Sequence, residues 1–238
     1  MPHEAMNAQQ VAAYLHIDAR EVLKLASRGQ IPCRKIQGQF QFRKGLIDHW
    51  MESRMHTLAP RQLAGIEKGV TAHHGEDHAE LEVCPLIPPE GLAVPLRART
   101  RDGVLRDLVE LAEAAGLVYG RAELLDEVRR REDLCTTGLI PCVALPHPRH
   151  PLPYDIAESF IVVGSAPGGL PFGAEDGLLT RLFFLICCKD ERTHLHVLAR
   201  LMRILHRRED IDRLLDAETP DELREMLEVL EAALVPEP

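Results

Sequence analysis

One histidine in this chain is set between two prolines, with an arginine two residues on. The stretch Arg131-Glu132-Asp133-Leu134-Cys135-Thr136-Thr137-Gly138-Leu139-Ile140-Pro141-Cys142-Val143-Ala144-Leu145-Pro146-His147-Pro148-Arg149 ends an apolar run at His147. Proline fixes φ and cannot carry a helix or a ladder past itself. The imidazole is therefore expected where a strand stops, open to solvent, with cations nearby. A neutral imidazole, with an ordinary pKa of about 6.5, is a competent nucleophile near pH 7. That chemistry suits acceptance of a phosphoryl group from a partner. Phosphoryl transfer runs through a loose, in-line transition state with charge on the equatorial oxygens, so it needs positioning and donors more than covalent chemistry.

The elements that must position this residue lie between about 92 and 234. Residues 94–97 read as a strand. Residues 102–115 and 121–131 read as amphipathic helices, the first with Val104, Leu105, Leu108, Leu111 and Ala112 on one side. Apolar runs at 160–164 and 182–188 read as buried strands. A helix over 194–207 and two short helices over 209–215 and 220–234 complete the unit. Strands of mixed direction with helices on the faces make an α/β sandwich.

Residues 6–55 read as a separate small unit. Asn7 caps a first helix carrying Val11, Ala12 and Leu15. Asp18, with Glu21 three residues on, caps a second carrying Val22, Leu25 and Ala26, which Gly29 ends. Strands at 33–36 and 40–43 meet at Gln37-Gly38, and a third helix carries Ile47, Trp50 and Met51. Residues 56–84 read as a linker, helical in part over 61–68, and the cluster His73-His74-Gly75-Glu76-Asp77-His78 belongs to it.

Charge divides the same way. Of 28 Lys/Arg and 37 Asp/Glu, residues 1–56 hold 8 and 5, a net +3, and the remainder 20 and 32, a net −12. The front segment can meet phosphates; the acidic remainder is repelled by them. The six cysteines form no CxxC pair, the start lacks an apolar signal core, and no run reaches the roughly 18 apolar residues of a membrane span. A cytoplasmic protein with reduced thiols and no membrane contact is expected.

Over about 84–235 the chain resembles the phosphotransferase-system enzyme IIA domains of the fructose–mannitol and nitrogen-regulatory type. The likeness rests on the stretch 131–149, on Asp176-Gly177, and on Thr193-His194-Leu195. It implies that His147 carries the phosphoryl group and that His194 and Arg131 line the same site. Arg131 would supply a planar fork of donors, and His194 a ring N–H near a helix N-terminus that favours an anion. Arg149, Thr136 and Thr137 are further phosphate-binding candidates. Ile140 and Cys142 stand where such domains commonly have glycines, and Pro148 replaces a small residue.

Asn7-Ala8-Gln9-Gln10-Val11-Ala12-Ala13-Tyr14-Leu15, Gly29-Gln30-Ile31-Pro32, Gly38-Gln39-Phe40-Gln41-Phe42-Arg43 and Ile47-Asp48-His49-Trp50 resemble an excisionase-like, MerR-related winged helix-turn-helix domain. It implies DNA contacts from Arg20, Lys24 and Arg28 on the second helix and from Arg34, Lys35, Gln39 and Arg43 on the hairpin. One such domain makes few phosphate contacts, so useful affinity calls for a homodimer or a protein partner.

The expected fold class is α/β (α+β): a C-terminal mixed sheet with helices on its faces, preceded by a small winged helix-turn-helix. The expected division is 1–55, a linker over 56–84, and 85–238. The expected function is a phosphotransferase-system-linked transcription regulator, phosphorylated on His147 by an HPr-type phosphocarrier. It is a phosphoryl carrier rather than a stand-alone enzyme, with no cofactor and no metal. The competing readings are a non-phosphorylated protein- or ligand-binding module tethered to DNA, and a plain sugar-uptake phosphocarrier.

Overall fold

The computed structural model describes residues 5–234 except 16, 73–80, 139 and 175. The histidine cluster at 73–78 therefore lies outside the described residues.

The front unit is a three-stranded antiparallel sheet carrying three helices: β1 (Ala5–Met6), α1 (Ala8–Leu15), α2 (Ala19–Ser27), β2 (Arg34–Ile36), β3 (Gln39–Arg43) and α3 (Lys44–Met55), with strand order β1-β3-β2. Asn7 and Asp18 cap their helices as expected, but the reciprocal pair expected at Asp18–Glu21 is found at Asn7–Gln10 instead. The Gln10 backbone N–H donates to Asn7 Oδ1 while the Asn7 N–H donates to Gln10 Oε1, a reciprocal capping box. The Arg20 N–H donates to Asp18 Oδ1. The hairpin turns at Gln37 and Gly38, with φ of 48° and 83°. Two consecutive positive φ values give the turn whose twist matches the flanking strands. The short edge strand β1 carries no sequence signal.

The back unit is a four-stranded mixed sheet of order β4-β6-β7-β5: β4 (Leu92–Ala93), β5 (Val143–Ala144), β6 (Phe160–Leu170) and β7 (Thr180–Cys187). β6 and β7 are antiparallel, while β4 runs parallel to β6 and β5 parallel to β7. Successive side chains point to opposite faces. Phe160, Val162, Phe183 and Leu185 meet α5 (Arg101–Ala114) and α6 (Arg121–Leu134) on one face. Ile161, Val163, Phe184 and Ile186 join the opposite core, with α7 (Glu191–Ile204), α8 (Arg208–Leu215) and α9 (Pro220–Ala232). Burial on both faces is why these strands read as continuous apolar runs rather than alternating ones.

Two expectations about the elements change. The strand expected at 94–97 is instead the two-residue β4 at Leu92–Ala93, followed by the Val94–Pro95 peptide in the cis form. Pro95 has no N–H for the ladder; the chain rejoins β6 through the Leu96 N–H on Ser165 O. The stretch 56–84 holds a 13-residue helix, α4 (Pro60–Ala72), packed on α7. Leu63, Ala64, Ile66 and Glu67 are buried there, and Arg203 of α7 donates to Glu67 at 2.6 Å. The front core also continues through Met51, Met55, Leu63 and Ile66 into that of α7. The two units are therefore in direct contact.

Among the described residues, no helix is long and apolar enough to cross a membrane.

Candidate functional site

His147 follows β5, where the chain leaves the sheet. The Ile186 N–H donates to Pro146 O at 2.9 Å, so the ladder with β7 runs to the residue before the imidazole. Pro148 then stops it. Cys142, just upstream, has φ of 65°. This left-handed conformation favours glycine, which accounts for the residue type expected at that position.

Hydrogen bonds fix the tautomer of His147. Its Nδ1 lies 2.8 Å from Leu145 O, which only accepts, so Nδ1 carries the proton. Arg131 Nε, which only donates, lies 3.0 Å from Nε2. Nε2 therefore holds the lone pair and is the nucleophilic nitrogen. Arg131 is anchored in turn by its Nη1 donating to Cys135 O at 2.9 Å. Its neighbour Glu132 accepts from the Thr137 N–H and Oγ1 at 3.0 and 2.6 Å, tying down the loop after α6. Burial raises the pKa of the Glu132 carboxyl.

His194, in the first turns of α7, completes the cluster. Its ring centroid lies 4.7 Å from that of His147. Asp190 caps the helix, accepting from the Arg192 and Thr193 N–H groups. Arg131, His147 and His194, expected together from the sequence, do converge. Thr137 is turned toward Glu132, and Thr136 toward Phe172 O at 3.3 Å. Arg149 is exposed and lines a cavity of about 260 Å³ that also touches His194, His150, Arg43 and His49.

Two features depart from expectation. His147 is 4% exposed rather than open to solvent. The second is Glu52, a residue that sequence reasoning missed. It extends from α3 of the front unit into the cluster, with Oε2 3.5 Å from His147 Nε2 and 3.9 Å from Arg131 Nη2, and Oε1 3.4 Å from His194 Nε2. The one available signal was its place beside Met51 and Met55 on an inward-facing helix.

Burial pushes the His147 pKa down to about 4, with His194 and Arg131 adding to the depression against the opposing pull of Glu52. Burial alone would raise the Glu52 carboxyl pKa; the imidazoles of His147, His194 and His49 outweigh it and hold the group well below the usual carboxylate range. At neutral pH the cup therefore holds a neutral nucleophile, a guanidinium and a carboxylate. The donor atoms of Glu52, His147 and His194 lie within 4.8 Å of one another, a spacing a cation could use. The Arg131 guanidinium on the His147 lone pair opposes that and suits an anion.

The α3 helix is held down by more than Glu52. Lys44 Nζ contacts Asp48 Oδ2 at 3.0 Å, Tyr14 Oη at 3.2 Å and, across to α7, Glu191 Oε2 at 2.9 Å. In the front unit Arg20, Lys24, Arg28, Arg34, Lys35 and Gln39 are exposed; Arg43 is exposed too, and lines the cavity.

The family model for the phosphoenolpyruvate-dependent sugar phosphotransferase system, EIIA 2, matches residues 86–229, and one for a helix-turn-helix domain matches residues 5–55. The chain is 24% identical over 149 residues to the fructose-specific EIIABC component of Bacillus subtilis, covering 62% of this chain and only 23% of that protein. It is 27% identical over 153 residues to the fructose-specific EIIA component of Haloferax volcanii, covering 63% of this chain and 97% of the relative. The crystal structure of IIA mannitol from Escherichia coli superposes with a TM-score of 0.52 at 25% identity, over 59% of this chain and 97% of that one.

Proposed function

Since the chain belongs to the EIIA 2 family of the phosphoenolpyruvate-dependent sugar phosphotransferase system and carries a helix-turn-helix domain besides, we propose that it is a phosphotransferase-linked regulator whose His147 accepts a phosphoryl group. The donor in this reading is an HPr-type phosphocarrier, and the front unit binds DNA and controls transcription. The division at 1–55, 56–84 and 85–238 belongs to the same reading, as does a homodimer on DNA.

The observation that carries it is the state of His147 Nε2. A lone pair is presented to a cup of one guanidinium and a second imidazole, with the proton fixed on Nδ1. Nε2 attacks phosphorus in line with the departing imidazole of the carrier. The N–P bond to the carrier breaks and its electron pair returns to that ring, which regains a proton from solvent. Arg131 and His194 then donate to the phosphoryl oxygens. Arg149 is placed to meet the carrier at the cavity mouth.

Incubating the protein with phosphoenolpyruvate, enzyme I and HPr tests this. One acid-labile phosphoryl group is expected on the wild type and none on His147→Ala. A wild type that stays unlabelled overturns the reading.

One observation favours the rival reading, a binding module without phosphoryl chemistry: the ring of His147 is buried beneath a carboxylate. Unchanged DNA affinity and partner binding on labelling, with His147→Ala behaving as wild type, would support it. The plain sugar-uptake carrier leaves the helix-turn-helix domain without a task.

A further inference from the structure

We propose that Glu52 is a latch: its carboxylate fills the phosphoryl cup, holds the helix-turn-helix unit on the IIA-like unit, and must leave when His147 is phosphorylated. This inference rests on the phosphoryl-acceptor reading of His147 and adds the regulation of that site.

The geometry is that of a stand-in. The two oxygens of Glu52 lie 3.4–3.9 Å from the three groups that would receive a phosphoryl group, Arg131, His147 and His194. Those contacts are electrostatic and not well-made hydrogen bonds. The His147 lone pair is already taken by Arg131 Nε, and His194 Nε2 is buried with no hydrogen-bond partner. A buried polar nitrogen left without a partner is costly, and a larger anion with three oxygens, met by the Nε2–H tautomer, would satisfy it. A phosphorus bonded to His147 Nε2 brings those oxygens into the space Glu52 occupies. The two anions exclude each other.

The latch also closes the site to the donor. With α3 docked, His147 is 4% exposed and the Glu52 carboxylate stands 3.5 Å from Nε2, so burial and charge both oppose the approach of a carrier's phosphohistidine. Labelling therefore needs the docked form to open, and the product keeps it open. The hairpin feels this directly, because β3 ends at Arg43 and α3 begins at Lys44. Phosphorylation at the IIA cup is thereby converted into release of the segment that carries the candidate DNA-facing hairpin. No atom of Glu52 changes covalently. The N–P bond forms at His147 Nε2, the N–P bond of the carrier breaks, and the carrier's ring takes back the electron pair.

The test uses the full-length chain, phosphoenolpyruvate with enzyme I and HPr, and three proteins: wild type, Glu52→Gln and His147→Ala. Where the open form is about 1–10% populated, Glu52→Gln should be labelled about 10- to 100-fold faster than wild type. Equal or slower labelling of Glu52→Gln, with the wild type still labelled, overturns the latch and leaves the phosphoryl-acceptor reading standing. No label on any protein overturns both. A second readout needs no variant at position 52. Amide hydrogen exchange over 44–55 should quicken when the wild type is labelled and stay slow in His147→Ala under the same relay. Exchange that is unchanged by labelling overturns the proposal even if Glu52→Gln folds poorly.

Discussion

Acidification should put a positive charge on His147 inside the closed cup and destabilise the fold at a pH set by that residue. Its pKa is held near 4 by burial, against an ordinary value of 6.5. A pKa depressed in the folded state means that the neutral ring stabilises the fold, fully above pH 6.5 and progressively less as pH falls toward 4. The gap corresponds to about 3 kcal/mol at 1.36 kcal/mol per pH unit. The group is buried, so solvent screening does not erode that figure. Glu52 and His196 have pKa values shifted in the same direction and add losses of their own, Glu52 at lower pH. The comparison that isolates His147 is therefore urea unfolding of wild type and His147→Gln between pH 7.5 and 4. The wild type should lose about 3 kcal/mol more than the variant across that window. Imidazole proton shifts followed by NMR give the same quantity without unfolding. A His147 ring that titrates near 6.5, or a variant whose stability falls in parallel with wild type, would refute the view that α3 seals the cup.

Other outcomes follow from the same geometry. Glu231 accepts from the Val83 and Cys84 N–H groups at 2.7 and 2.8 Å and from Arg200 Nε at 2.5 Å, all buried. Glu231→Ala leaves the buried Arg200 guanidinium with only the longer Glu67 contact at 3.8 Å and frees two buried N–H groups, and should cost about 3–5 kcal/mol in denaturant unfolding; a loss under about 1 kcal/mol contradicts the network's importance. On the front unit, replacing Lys24 by Ala should weaken binding to duplex DNA about equally across sequences and reduce the salt slope by about one, as for one lost phosphate contact. An unchanged slope would place the DNA surface elsewhere.

Much of this was legible in the sequence because the signals were local. Proline on either side of His147 marks the end of a strand, and the runs at 160–164 and 182–188 are apolar because both sheet faces are covered. The Asn7 cap also lies within one turn. What escaped was non-local. The polar stretch at 73–78 suggested a linker over 56–84, yet Glu67 within it is buried against Arg203 of a helix far along the chain. A charge with a buried partner reads the same as one in water until the partner is located. Strands β4 and β5 have two residues each, too few for any periodicity. Glu52 gave no sign of its role because Arg131, His147 and His194, the groups of the cup, all lie in the other unit.

The cup has two charge states, and magnitudes decide between them. With Glu52 present, a guanidinium and a carboxylate cancel and the nucleophile between them is neutral. A phosphoryl group transferred to a ring that keeps its Nδ1 proton adds one net negative charge beside that carboxylate. At about 4 Å and an effective dielectric of 20, a pair of unit charges is worth about 4 kcal/mol, so retaining Glu52 would cost roughly that much. The Lys44–Glu191 ion pair that also holds α3 is partly exposed and contributes about 1 kcal/mol at most. The phosphoryl group therefore wins the cup. The apolar contacts of Met51 and Met55 oppose the opening of α3, and the packing of α4 on α7 holds the units together beside it. They favour a hinged opening that keeps the helix-turn-helix close over a full separation of the units. A hinge returns the latch when phosphate leaves, so the front unit would follow the phosphorylation state reversibly.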